Sequence, residues 1–134
     1  MGWIREVMKG KLPSNILDAV LETIPLDIIV LDSEDVVIGW NKPQTADIPE
    51  NVLGEDVRKC HPPNVLPIVE QMLSEMKSGK RDSATFWHPE GEKGMKLIRY
   101  YALRDEGGKY LGCLECDEYI AEIQKIEGVK MKLD

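Results

Sequence analysis

The run CHPPNVLPIVEQMLSEMKSG, residues 60–79, decides the fold. Pro62 and Pro63 each fix φ and disfavour helix at the residue before them, so the chain enters this stretch extended. Val65, Ile68, Val69, Met72, Leu73 and Met76 then recur at i, i+3, i+4, i+7, i+8 and i+11, the strongest periodicity in the chain. Glu70, Gln71, Ser74, Glu75 and Lys77 take the opposite face, and Gly79 is a natural C-terminal cap. A helix with one apolar face needs a core to cover. The same stretch sets a thiol, Cys60, beside an imidazole, His61, at its mouth.

Downstream, residues 82–88, 95–104 and 110–116 read as strands separated by hairpin-like turns at 91–94 and 106–109. Ile120, Ile123 and Ile126 mark a closing helix that ends at Gly128. Upstream, Trp3, Ile4, Val7 and Met8 recur at helical spacing, which predicts an amphipathic lead-in helix ending at Gly10. Pro13 and Ser14 open a second helix, with Ile16, Ala19, Val20 and Ile24 on one face and Pro25 as its stop. Residues 26–31 and 36–40 form a strand pair around the polar turn 32–35. From 41 to 59 Pro43, Pro49 and Gly54 break the pattern into loop and short helical turns. The order implies an α+β fold, an antiparallel sheet with helices packed on one face and helical extensions at both termini. The chain divides into an extension (1–12), one domain (13–128) and a tail (129–134).

At 134 residues there is one domain with a single core. A net charge of −7 argues against nucleic acid or an anionic membrane as partner, since both need a basic footprint. No segment approaches the roughly 20 apolar residues of a membrane span, and the first twelve residues lack a secretory apolar run. Three cysteines at irregular spacing make no disulfide framework. These features place the chain in the reducing cytoplasm.

The element order, the turn Arg104-Asp105-Glu106-Gly107 and the strand opening Tyr110-Leu111-Gly112 resemble a PAS sensor domain. Asp117 stands where many PAS strands end in Asp-Ile-Thr, although Glu118 and Tyr119 follow it here. GEDVRKCHPP, FWHP, IRYYALRDEGGKYLGCLE and the late IEG are similar to one PAS subfamily. It forms the C-terminal module of prokaryotic proteins that also carry a hemerythrin-like domain, for which this chain has no room. The resemblance covers roughly residues 16–128. It implies a five-stranded sheet enclosing, with the long helix, a pocket used for haem, flavin or small metabolites, or left empty in dimerisation modules.

Cys60 and His61 are donors suited to zinc or haem iron. Haem-binding PAS domains take an axial His from the long helix, whereas His61 lies just before it. The bland alternative makes His61 a loop hydrogen-bonder and Cys60 a small hydrophobe. Flavin-thiol relatives have a Gly, two further residues and then the Cys, and counted from Gly54 that place holds Val57. Cys113 and Cys116 on one strand point to opposite faces and do not chelate together. Leu97, Arg99, Tyr101 and Leu103 share one strand face, Ile98, Tyr100 and Ala102 the other. On the pocket side, Arg99 would offer a fork for a carboxylate or phosphate; on the outer side, it would pair with a surface acid. Met72 and Met76 lie on the inner helix face, and Trp87 serves as pocket wall, interface or core. No phosphate loop, zinc-protease motif or nucleophile elbow is present, and adjacent Cys60 and His61 point apart, so the chain reads as no enzyme.

The resulting expectation is a cytoplasmic sensory domain that binds a small molecule through His61, Cys60, Met72, Met76, Trp87, Arg99 and Tyr101. It signals to a partner protein through a homodimer, with the terminal helices as output. A haem or metal sensor using His61 is the first alternative. A ligand-free interaction module is the second.

Overall fold

The computed structural model describes residues 4–7 (backbone only), 10–41 and 52–134. The helix anticipated from Trp3, Ile4, Val7 and Met8 is replaced by a hairpin. Strand β1 (Ile4–Val7) pairs antiparallel with β2 (Gly10–Pro13), Ile4 opposite Pro13 and Val7 opposite Gly10. The segment falls short of the roughly 12 residues an isolated helix needs, and its β-branched Ile4 and Val7 favour strand. Trp3 and Met8 lie outside the described residues.

Helix α1 (Ser14–Thr23) follows, ended where Ile24 N–H donates to Val20 O before Pro25. Strands β3 (Asp27–Asp32) and β4 (Val37–Trp40) form the anticipated pair. Their turn is held by Asp32 Oδ1, which accepts from the Glu34 and Val36 N–H groups. Of the 41–59 stretch, residues 42–51 lie outside the described residues. Val57–Cys60 forms a 3₁₀ turn capped by Asp56, whose side chain accepts from Arg58 N. His61 (φ −126°, ψ 146°) and Pro62 (φ −67°, ψ 152°) are extended, as the prolines require.

Helix α2 (Leu66–Ser78) then buries Val69, Met72, Leu73 and Met76. Gly79 takes φ 83°, the left-handed cap only glycine adopts freely, and Lys80 N–H closes on Glu75 O at 2.9 Å. Three long strands complete the domain, β5 (Ser83–Pro89), β6 (Met95–Arg104) and β7 (Tyr110–Tyr119). The last runs three residues beyond the 116 boundary that the sequence pattern marked. The closing helix shortens to α3 (Ala121–Gln124).

The main sheet has five strands in the order β4-β3-β7-β6-β5, and β7 is central. On its inner face Ile29, Leu31, Val37, Tyr100 and Cys113 meet the buried residues of α2. Removing side chains the size of Leu73 and Met76 from water stabilises the fold by about 1.5–3 kcal/mol each. Gly112 permits the close approach of β3 to β7, because a Cβ there would lie 2.1 Å from Leu31 O.

Candidate functional site

Between α2 and the sheet margin at β5 and β6 lies a cavity of about 410 Å³. Its wall is built from His61 and Pro62 at the helix entrance, Val65, Ile68, Val69 and Met72 on α2, Phe86, Trp87 and His88 on β5, and Ile98 and Tyr100 on β6. A smaller cavity of about 200 Å³ shares Ile68, Met72 and Phe86 and ends at the Glu75–Arg81 ion pair. The larger volume falls within the roughly 300–1,000 Å³ typical of small-molecule sites.

The wall exists because three local choices agree. The Pro62–Pro63 pair brings His61 to the helix mouth in extended form. The helical period then sets Val65, Ile68, Val69 and Met72 along the side facing β5. Strand alternation presents Phe86, His88, Ile98 and Tyr100 on the inner face, and Phe86 and Tyr100 meet edge to face at 5.9 Å.

Of the residues singled out from sequence, the structure brings His61, Met72 and Trp87 to this wall. Trp87 stands at its rim, 65% exposed on an edge strand. The others are elsewhere. Met76 is fully buried in the core, its sulfur 3.9 Å from Cys113 Sγ. Cys60 is exposed, with its thiol 4.0 Å from Asp56 O. Arg99 and Tyr101 occupy the face away from the cavity, since Ile98 and Tyr100 have the inward parity. Arg99 Nη2 pairs there with Glu118 Oε1 at 3.0 Å, the outer-face alternative. Cys113 and Cys116 are both buried, the first among the inner-face core and the second at the opposite parity.

Burial lowers the pKa of the His61 imidazole, which favours its neutral, ligating form. The Cys60 thiol is pushed up by desolvation and by the charges of Glu115, Glu55 and Asp56, which disfavours the thiolate a metal or nucleophile needs. Among the described residues no group of three His, Cys, Asp or Glu side chains could hold a metal ion. Were a haem iron held here, the His61 and His88 imidazoles and the Met72 thioether would be the wall's donors of suitable kind.

Beside the cavity lies a polar feature that the sequence reading missed. Across the inner face Ile29, Glu115 and Tyr100 stand in one row, and Asp27, Asp117 and Ile98 in the next. Glu115 stands opposite Tyr100 and two residues from Asp117 on the same face of β7. Desolvation, then the neighbouring Asp117 carboxyl, push the Glu115 pKa well up. Desolvation pushes Asp117 up as well, and Asp27 adds to it while Lys96 and His88 oppose it. Tyr100 is raised far above its ordinary value by burial and by Glu115. The available signal was alternation: acids at 115 and 117 share a face with Cys113 on a strand otherwise fit for a sheet centre. Ending that strand at 116 hid it.

A five-stranded antiparallel sheet, crossed on one face by a helix over a cavity, defines a small α+β chamber domain. The PAS domain family matches residues 17–120, and the chain belongs to that family. The fold is similar to that of a C-terminal domain from Streptococcus mutans, with TM-score 0.83 at 24% identity over 93% of this chain and 98% of that one. It also resembles the PAS domain of a Colwellia psychrerythraea protein, with TM-score 0.59 at 16% identity over 81% and 98%. A sensory box sensor histidine kinase from Vibrio cholerae superposes with TM-score 0.52 at 10% identity over 78% and 89%. No curated protein sequence matches the chain. No helix among the described residues is long and apolar enough to cross a membrane.

Proposed function

We propose that this PAS domain is a sensory module that binds a small organic molecule in the cavity between α2 and strands β5 and β6. The observation that carries the reading is the cavity itself, about 410 Å³, mainly apolar and with His61, His88 and Tyr100 as convergent polar groups. His61 and Tyr100 supply polar recognition, Met72 adapts to the shape of the ligand, and Trp87 closes the rim. The occurrence of the same fold in a solved sensor histidine kinase supports a signalling role. Output passes through a homodimer to a separate signalling protein. The nearly half-exposed Ile16, Val20 and Leu21 on α1 support such pairing. The module works in the cytoplasm and is not an enzyme, which fits a Cys60 kept as thiol and outside the wall.

Ligand binding shifts output only through differential affinity for two states. Native mass spectrometry and an absorption spectrum of the purified chain test the proposal, repeated on Met72→Trp, which fills the cavity. A retained small molecule, or a thermal shift with a metabolite library, that Met72→Trp abolishes supports it. A visible band lost in His61→Ala identifies that molecule as haem. An empty wild-type chain that no library member stabilises overturns the reading in favour of a ligand-free interaction module.

A further inference from the structure

We propose that the cavity selects a ligand with an apolar body and a positively charged nitrogen, and that Glu115 and Asp117 impose this choice. The inference rests on the ligand-binding reading above and names the chemistry of the ligand. Its basis is strand register. Tyr100 and Ile98, both in the cavity wall, stand directly opposite Glu115 and Asp117 on the neighbouring strand. All four side chains rise from one face of the sheet, one strand spacing of about 5 Å apart. Asp27 extends the row on the far side, opposite Asp117. The apolar wall therefore runs into a carboxyl patch without a change of face.

The charges facing that patch can be named from each surrounding element. Strand β6 brings Lys96, with Nζ 3.9 Å from Asp117 Oδ2. From β5 comes His88, from β3 Asp27, and from the 3₁₀ turn the Cys60 thiol. The buried residues of α2 are Val69, Met72, Leu73 and Met76, all uncharged. Three carboxyl groups are thus set against one lysine and one imidazole. Asp117 is 3% exposed, and its Oδ1 has no hydrogen-bond donor among the described residues. No lysine or arginine lines the cavity. An anionic ligand would find Lys96 already paired with Asp117 and would lie beside desolvated carboxyl groups. A cation in the same place gains Coulomb energy that low dielectric magnifies.

A series of one shape and three charges tests this. Tryptamine, tryptophol and indole-3-acetate share an indole body, and each is titrated against the ¹⁵N-labelled chain at neutral pH. The expected result is at least tenfold tighter binding of tryptamine than of tryptophol, with indole-3-acetate weakest and the shifts centred on Met72, Trp87 and Tyr100. Glu115→Gln combined with Asp117→Asn should bring tryptamine and tryptophol to equal affinity. Where that double variant fails to fold, Lys96→Met decides, because removing the opposing cation should widen the preference for tryptamine. Equal binding of the three probes to the wild type overturns the charge selection and leaves the cavity reading intact. So does a preference that survives the double variant or is unchanged in Lys96→Met. If none of the probes moves cavity resonances, the charge selection is overturned, and the ligand-binding reading is decided separately by the library screen.

Discussion

One carboxylate, Asp35, ties three parts of the chain together. It occupies the β3–β4 turn with φ 68°, its side chain 3% exposed, with Arg58 Nη2 at 3.0 Å and Lys77 Nζ at 2.7 Å. Arg58 also pairs with Asp56 and Glu70. The arrangement pins the turn before His61 to α2 and so fixes the entrance of the cavity. Asp35→Asn separates charge from shape, because Asn tolerates positive φ nearly as well as Asp does. The expected loss is about 2 kcal/mol, below the usual cost of breaking a buried pair because Arg58 and Lys77 stay in contact with water. Urea unfolding measures it. An unchanged midpoint would mean that the turn holds without the ion pairs.

Among the elements, α2 shows how neighbouring side chains on one helix face divide between core and site. Met76 has no exposed surface and touches Cys113, whereas Met72, one turn earlier, lines the cavity. Met76→Ala should cost about 3 kcal/mol through lost burial and an unfilled void. Met72→Ala should cost less, since the cavity already interrupts packing on that side. Thermal melts of the two variants give the comparison, and equal losses would refute the division. The helix itself was legible because its period, its proline entry and its glycine cap all agree in sequence. Strand parity at 95–104 was not, because apolar residues occupy both faces, Leu97 and Leu103 on one and Ile98 and Ala102 on the other. Only the approach of α2 decides that Tyr100 faces inward and Arg99 outward. Local pattern also misled at residues 4–7, where pairing with 10–13 outweighs a short helical spacing. The Glu115–Asp117 pair was hidden for a related reason. Its meaning depends on β7 lying at the centre of the sheet, which a sequence read strand by strand does not reveal.

Over the whole molecule, these titrating groups shape stability against pH in opposing directions. Glu115 and Asp117 have raised pKa values in the folded chain, so folding favours their protonated forms. Their contribution is complete below the ordinary carboxylate values of about 4 and is lost as pH rises through the raised ones. His61 acts the other way. Its pKa is lowered by burial, so stability falls as pH drops below the ordinary imidazole value of about 6.5. The lowered carboxyls of Asp56 and Glu75, held mainly by the hydrogen bonds they accept, likewise lose their contribution in acid. Glu115→Gln isolates the pair, because an amide of the same shape as the carboxyl carries no proton that titrates. The melting temperature of Glu115→Gln minus that of the wild type should therefore increase steadily from about pH 4 to pH 8. The His61, Asp56 and Glu75 contributions are common to both chains and cancel in that difference. A difference that stays flat across the range would mean that the Glu115 pKa is not raised in the folded chain.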